Sequence, residues 1–514
     1  MLRTARRLAL AAAVTAAAMM MSSCATAGAG SVSGESDAPA EITVALALPT
    51  SWDPVTSRTG YDINTISLPY ASLTRLDADG DVEPSLAESW TYSDDGTAIT
   101  FTLREGLAFS DGEPLDAAAV KAFFDRGTTQ EDSHLRDQLA HLEEVTVDSE
   151  REVTLHLSEV DYQIPYLVAG RTGAIASPAA GEDPEHLAVS PVGAGPFVLT
   201  EFVAESHAVF EKNPGYWDAD SIHIDKLTLK PRLDPSTVVA AIQSGSVDVA
   251  VIPATQAKAA EAAGLSVTIA TALTASDASI NLNREPFTDP KVVEAFRYAF
   301  DRQAFVDVVT AGLGSVTHQP FPEGYLAFAP AVEELWGYDP DRARQLLADA
   351  GYEEGELSVT ITAQAAGEVA AELAQDQLKA IGVDSAIELV PEGSTTWQDE
   401  VYVAKSPQLA LDGTIGRESP VANLLAVYGP EGIMNLSGPH ASDEFLEALD
   451  AVRATPIDAP EYQEVLRNAV EVGVRQSPTN YLYSSPWIFA TSDRIGDLHL
   501  LPSQVRWEGV TVEG

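Results

Sequence analysis

Alternating and helical patterns of apolar positions are mixed along the chain. Ile99-Thr-Phe-Thr-Leu103 alternates with period two, as a half-buried strand does. It follows Ser93-Asp-Asp-Gly96, a hairpin turn signal. Val145-Thr-Val147 and Val153-Thr-Leu-His-Leu157 predict a second hairpin across 148–152. Further on the period becomes helical. Asp289-Pro290 reads as an N-cap followed by proline at the first helical position, and Val292, Val293, Phe296, Ala299 and Phe300 share one face behind it. Asp339-Pro340 repeats that start, with Leu346, Leu347 and Ala350 apolar and Gly351 as the stop. Gly382 ends a helix that runs through Leu373 and Leu378. The pattern predicts an α/β protein, more antiparallel between about 71 and 185 and alternating helix with strand after about 285.

The chain has 514 residues and 45% apolar content. Its formal charge of −47 disfavours nucleic acid and other polyanions as partners. Near the N-terminus the picture changes. Arg3, Arg6 and Arg7 precede a 14-residue apolar run, Leu8 to Met21, which suits a signal sequence and is too short to span a bilayer stably. Met21-Ser-Ser-Cys24 follows and resembles a bacterial lipobox, which makes Cys24, the single cysteine, the lipidated residue. The alternative is cleavage after Ala25-Thr-Ala27 with Cys24 discarded. Removal of residues 1–23 takes the charge to about −50, and the small polar residues of 24–40 read as a flexible tether.

Motifs of hydrolytic chemistry are missing. There is no G-x-S-x-G elbow and no H-E-x-x-H, and no lysine has serine three residues before it. Asp77-Ala-Asp-Gly-Asp81 has its glycine at the fourth place where a calcium loop needs it at the sixth, so it reads as a turn. No cofactor or metal is expected, and no enzyme activity.

A series of blocks then carries a resemblance. They are Glu83-Pro-Ser-Leu-Ala-Glu-Ser-Trp90, Phe101-Thr-Leu-Arg-Glu-Gly106, Phe109-Ser-Asp-Gly112, Pro191-Val-Gly-Ala-Gly-Pro-Phe197 and Asn213-Pro-Gly-Tyr-Trp217. Gln243-Ser-Gly-Ser-Val-Asp-Val249, Asn281-Leu-Asn283, Tyr298-Ala-Phe-Asp-Arg302, Tyr338-Asp-Pro340 and Gln377-Leu-Lys-Ala-Ile-Gly-Val383 continue it. In this order they resemble the family 5 extracytoplasmic solute-binding proteins, the oligopeptide-, dipeptide- and nickel-binding subunits of ABC importers. The resemblance implies a two-lobed, type II periplasmic-binding-protein-like fold with an additional domain and a hinge. Lobe I would be 41–70 with 190–280 and 484–514, the additional domain 71–189, and lobe II 281–483.

The resemblance also implies a monomer on the outer face of the cytoplasmic membrane, held there by its N-terminal lipid. It would capture peptides or peptide-like solutes between the lobes and deliver them to ABC permease and ATPase subunits. The alternatives are a small polycarboxylate, opine or nickel-chelate ligand, and a sensor or adhesin that does not transport. Trp52-Asp-Pro54 resembles the family's L-D-P, and the segment behind it makes Tyr61 and Asp62 cleft candidates. Nickel and opine relatives carry a cleft arginine near the place of Arg171, and an arginine can hold a carboxylate bidentately. Trp397 reads equally as core or as cleft wall. Peptide-binding relatives carry an aspartate for the peptide amine near 417, where this chain has Arg417 and Glu418. Either the amine clamp is lost and an anion gains a partner, or Glu418 does the aspartate's work.

Overall fold

The computed structural model describes residues 39–58, 62–391, 395–501 and 504–513. Cys24 and Tyr61 lie outside the described residues. Among the described residues the strands form three larger sheets.

The first sheet has seven strands. Glu41–Ala45 lies at its middle, parallel to both Lys226–Lys230 and Val249–Val251, and the outer strands are antiparallel. Val44, Leu227, Leu229 and Val249 are fully buried there, as a central strand covered on both faces requires. The second sheet has six strands, with Leu357–Gln364 parallel to Val383–Val390 and to Leu409–Ile415. The chain passes between these two sheets at 271–273 and at 485–486, where Thr274 Oγ1 donates to the Ser485 carbonyl at 2.6 Å. The third sheet is antiparallel and holds both predicted hairpins, 87–92 with 98–103 and 142–147 with 152–157. The architecture is mixed α/β, built on two mixed sheets and one antiparallel sheet. No described helix is long and apolar enough to cross a membrane.

Local chemistry explains most boundaries. The side chains of Asp289 and Asp339 accept from the backbone N–H of Lys291 and Arg342 and start helices at Pro290 and Pro340. Gly351 and Gly382 close helices at φ of +95° and +82°, a conformation that favours glycine. One boundary differs from the sequence pattern. The helix from Pro290 stops at Arg297, so Ala299 and Phe300 lie beyond it, although both stay fully buried. The reason is Asp301, whose carboxylate accepts from Ala304 N–H and begins a separate helix, Arg302–Val309. Asp77 Oδ1 accepts from Asp79 and Asp81 N–H, which makes 77–81 the turn expected of it.

One apolar cluster joins the additional sheet's connections to the second lobe. Leu76, Tyr166 and Ala169 pack with Val421, Leu424, Phe445 and Tyr462. Tyr166 and Tyr462 stack at 6.5 Å, and Tyr462 Oη donates to Gln163 Oε1 at 2.8 Å. This contact fixes the walls of the cavity described next.

Candidate functional site

The loop 51–58 lies behind the site, bringing Arg58 to it and holding Arg171 through Ser57. Trp52 is buried with its ring edge-on to Phe210 at 5.4 Å. Asp53 is fully buried and bound by both terminal nitrogens of Arg126, at 2.6 and 2.7 Å. These two residues fasten the loop to the first sheet and to the helix Ala117–Thr129. Ser57 then donates to Asp62 Oδ2 at 2.7 Å, and Thr50 N–H donates to the same oxygen.

Two arginines come to one cavity. Arg171 follows the short helix Ile164–Leu167, in a tight turn where a side chain at Gly173 would collide with the Val168 carbonyl. It is buried, and its guanidinium donates to the Ser57 carbonyl, to Ser57 Oγ at 3.3 Å and to the His134 carbonyl at 3.4 Å. Arg417 arrives from the second lobe. The strand Leu409–Ile415 ends at Gly416, whose N–H bonds Leu273 and where any Cβ would strike the Leu273 side chain. Ser419 caps the next helix, Pro420–Tyr428, by accepting from Ala422 N–H. Arg417 and Glu418 are therefore the turn between a strand and a helix, a position that aims side chains out of the sheet.

Arg171 and Arg417 both line a cavity of about 490 Å³ between residues 133–171 and that helix, together with Arg58 and His134. Val421, Ala422 and Leu425 supply an apolar wall. The volume suits a small solute. Burial, then the neighbouring Arg417, pulls the Arg171 pKa down to about 10, against Asp62 and Glu418. Burial likewise lowers Arg417, against the pull of Glu418 and Asp137. Both remain charged at neutral pH. Among the described residues no hydrogen bond holds the Arg417 guanidinium, and neither arginine has an ion pair within 4.0 Å. The His134 pKa is lowered by burial, then by Arg171 and Arg58.

The other sequence candidates fall elsewhere. Asp62 sits behind Ser57 and holds the loop. Glu418 does not line the cavity; its carboxylate rests on Gly170, where an added Cβ would come within 2.4 Å. Burial raises its pKa, against Arg417 and Arg171. Trp397 is 3% exposed and packs with Val390, Val401, Ala410 and Leu436. The structure thus brings Arg171 and Arg417 together and leaves Trp397 in the core. Sequence reasoning missed Arg58, His134, Asp161, Gln163 and Arg453, which also line the cavity. The helix 420–428 was open to discovery, since Ser419-Pro420 has the same form as Asp289-Pro290.

Comparison with known proteins gives a consistent result. Residues 81–435 match the model of the bacterial extracellular solute-binding proteins, family 5. The glutathione-binding protein GsiB of Salmonella typhimurium is 33% identical over 332 residues, 63% of this chain and 64% of the relative. GsiB of Escherichia coli K12 is 31% identical over 331 residues, again 63% and 64%. The match therefore spans less than two thirds of these relatives' length. Among solved structures, DppA of Helicobacter pylori in complex with the peptide STSA superposes with a TM-score of 0.81 at 20% identity, covering 92% of this chain and 98% of that one. NikZ of Campylobacter jejuni in complex with Ni(L-His) gives 0.79 at 19%, covering 91% and 97%.

Proposed function

The chain belongs to family 5 of the bacterial extracellular solute-binding proteins, and from that premise we propose that it is the lipid-anchored, solute-capturing subunit of an ABC importer. It takes peptides or peptide-like solutes into the cavity between the additional domain and the second lobe and delivers them to the permease. It binds its solute without converting it.

One observation carries this reading. Arg171 and Arg417 converge on one cavity, and among the described residues neither has an acid within 4.0 Å, in a chain with 77 acids and 30 Lys and Arg. A largely buried cation is costly unless something pairs it. A solute carboxylate is the natural partner, and the C-terminus of a peptide supplies one. The same pair of arginines also favours a second reading, a small polycarboxylate. The glutathione named for the relatives is itself a tripeptide with two carboxylates, so it belongs to both classes.

Native mass spectrometry of protein purified from its own host tests the proposal. A co-purified peptide or carboxylate, recovered with unchanged mass after incubation, is the expected result. A solute that is chemically altered during incubation would overturn the binding-only reading. A solute with no carboxylate would remove the role given to the arginines.

Anchoring is proposed through Cys24. Several acyl chains on one cysteine hold a protein at a membrane firmly, at about 0.8 kcal/mol per buried methylene. Cys24→Ala is expected to abolish detergent-phase partitioning and to remove the lipid mass from the intact protein. A mature mass that begins after Ala27 in both wild type and variant would refute the anchor.

A further inference from the structure

The cavity is also lined by Asp161, Gln163, His141 and Arg453. We infer that Asp161 forms the pocket for a peptide amino terminus and takes its ammonium, with the Gln163 N–H behind it holding the carboxylate in place. The inference rests on the reading that this cavity holds the solute.

Both side chains are almost fully buried, Asp161 at 7% and Gln163 at 3% exposure. Both are also fixed. Asp161 Oδ1 accepts from Gln163 N–H at 2.8 Å, and its own carbonyl accepts from Tyr92 Oη at 2.8 Å. Gln163 Oε1 accepts from Tyr462 Oη at 2.8 Å, which orients the amide and leaves Nε2 with no partner among the described residues. Asp161 forms no ion pair within 4.0 Å among the described residues, although charges stand nearby. His141 is engaged by Glu159 at 2.9 Å, and Arg453 Nη1 by Asp450 at 3.2 Å and Glu159 at 3.9 Å.

A buried carboxylate without a counter-ion is costly. The ammonium of an α-amino terminus donates to it and supplies the missing charge. Burial raises the Asp161 pKa, with Arg453 and His141 opposing, so an ammonium beside it favours the ionised form.

The distribution of charge gives the solute a direction. The lining cations Arg58, Arg171 and Arg417 outnumber the lining Asp137, and Arg453 and His141 beside Asp161 are engaged by Glu159 and Asp450, which do not line the cavity. A peptide therefore lies with its carboxylate at Arg171 and Arg417 and its ammonium at Asp161, its side chains along Val421, Ala422 and Leu425. The wall helix has nine residues, roughly 13 Å, and an extended tripeptide spans about 10 Å. The acid that the family resemblance places near 417 is thus supplied from the opposite wall.

Isothermal titration with trialanine and N-acetyl-trialanine tests this. In the wild type, acetylation is expected to weaken binding about tenfold or more, as loss of a charged hydrogen bond does. In Asp161→Asn, trialanine itself weakens by about the same factor and the acetylation penalty falls below about threefold. Asp161→Ser serves as second variant if the first melts early. An acetylation penalty as large in the variants as in the wild type overturns the pocket, as does equal binding of both probes to the wild type. Failure of trialanine to bind also overturns it, while solute capture itself still stands or falls by the native mass.

Discussion

Arg417→Ala is expected to weaken binding of the co-purified solute by about 2–5 kcal/mol, mostly through faster release. The guanidinium accepts no structural duty that would mask the effect. No described residue hydrogen-bonds it, and it stands in the two-residue turn between a strand that ends at Gly416 and a helix that Ser419 caps. Truncation removes a half-buried cation that repels Arg171 but attracts Glu418 and Asp137, so the melting temperature is expected to change little. Arg171→Ala is different. That guanidinium also ties the Ser57 and His134 carbonyls together, and its loss should lower both affinity and stability. A surface arginine would cost about 0–0.5 kcal/mol instead. Titration calorimetry on both variants decides. If both bind as tightly as the wild type, the solute's anchors lie elsewhere in the cavity and the two-arginine assignment fails.

The parts of the fold that were legible in the sequence are those fixed by local chemistry. The turn at Ser93–Gly96 places Gly96 at φ +72°, and the strand Ala98–Leu103 buries alternate residues behind it. The aspartate-proline starts at 289 and 339 work because a carboxylate at the cap satisfies an N–H that the helix cannot. The end of the first of those helices was hidden, because Asp301 is a helix start that falls within a run still apolar at the right spacing. Trp397 could not be sorted from sequence, since an aromatic at an irregular element suits a core and a cleft equally.

The site was legible only where a residue departed from an expected type. Arg417 stood out because the resemblance implies an acid near it. Asp161 had no such contrast, being one of 77 acids. Its significance comes from Gln163 and Tyr462, which meet across 299 positions of sequence. His134 and Arg453 likewise belong to loops and helix ends whose place is set by long-range packing. Periodicity reports which face of an element is buried, and it carries no information about which turns face one another.

Asp277→Asn is expected to stabilise the protein and to flatten the pH dependence of its stability. Asp277 and Asp412 face each other directly across adjacent antiparallel strands of the second lobe, where opposed side chains lie about 5 Å apart. Burial, then Asp412, pushes the Asp277 pKa up, and burial pushes Asp412 up against the hydrogen bonds from Gly413 N–H and the Tyr402 hydroxyl. The remaining titratable neighbours are Tyr428, Tyr481 and Tyr483, whose own pKa values burial raises, so they stay neutral. No cation pairs with either carboxylate among the described residues. Two such carboxylates cannot both ionise cheaply, and the native pair keeps a proton. The unfolded chain releases its protons near pH 4. Above that pH the native state binds more protons than the unfolded state, so stability falls as pH rises toward the raised native value. The slope is about 1.4 kcal/mol per pH unit for each extra proton held. Asparagine holds no titrating proton and keeps the shape and the Ser279 hydrogen bond. Urea unfolding midpoints of wild type and variant should therefore converge near pH 4–5 and diverge increasingly toward pH 8, with the variant the more stable. Parallel curves over that range would show that Asp277 is ionised in the native protein and that the pair shares no proton.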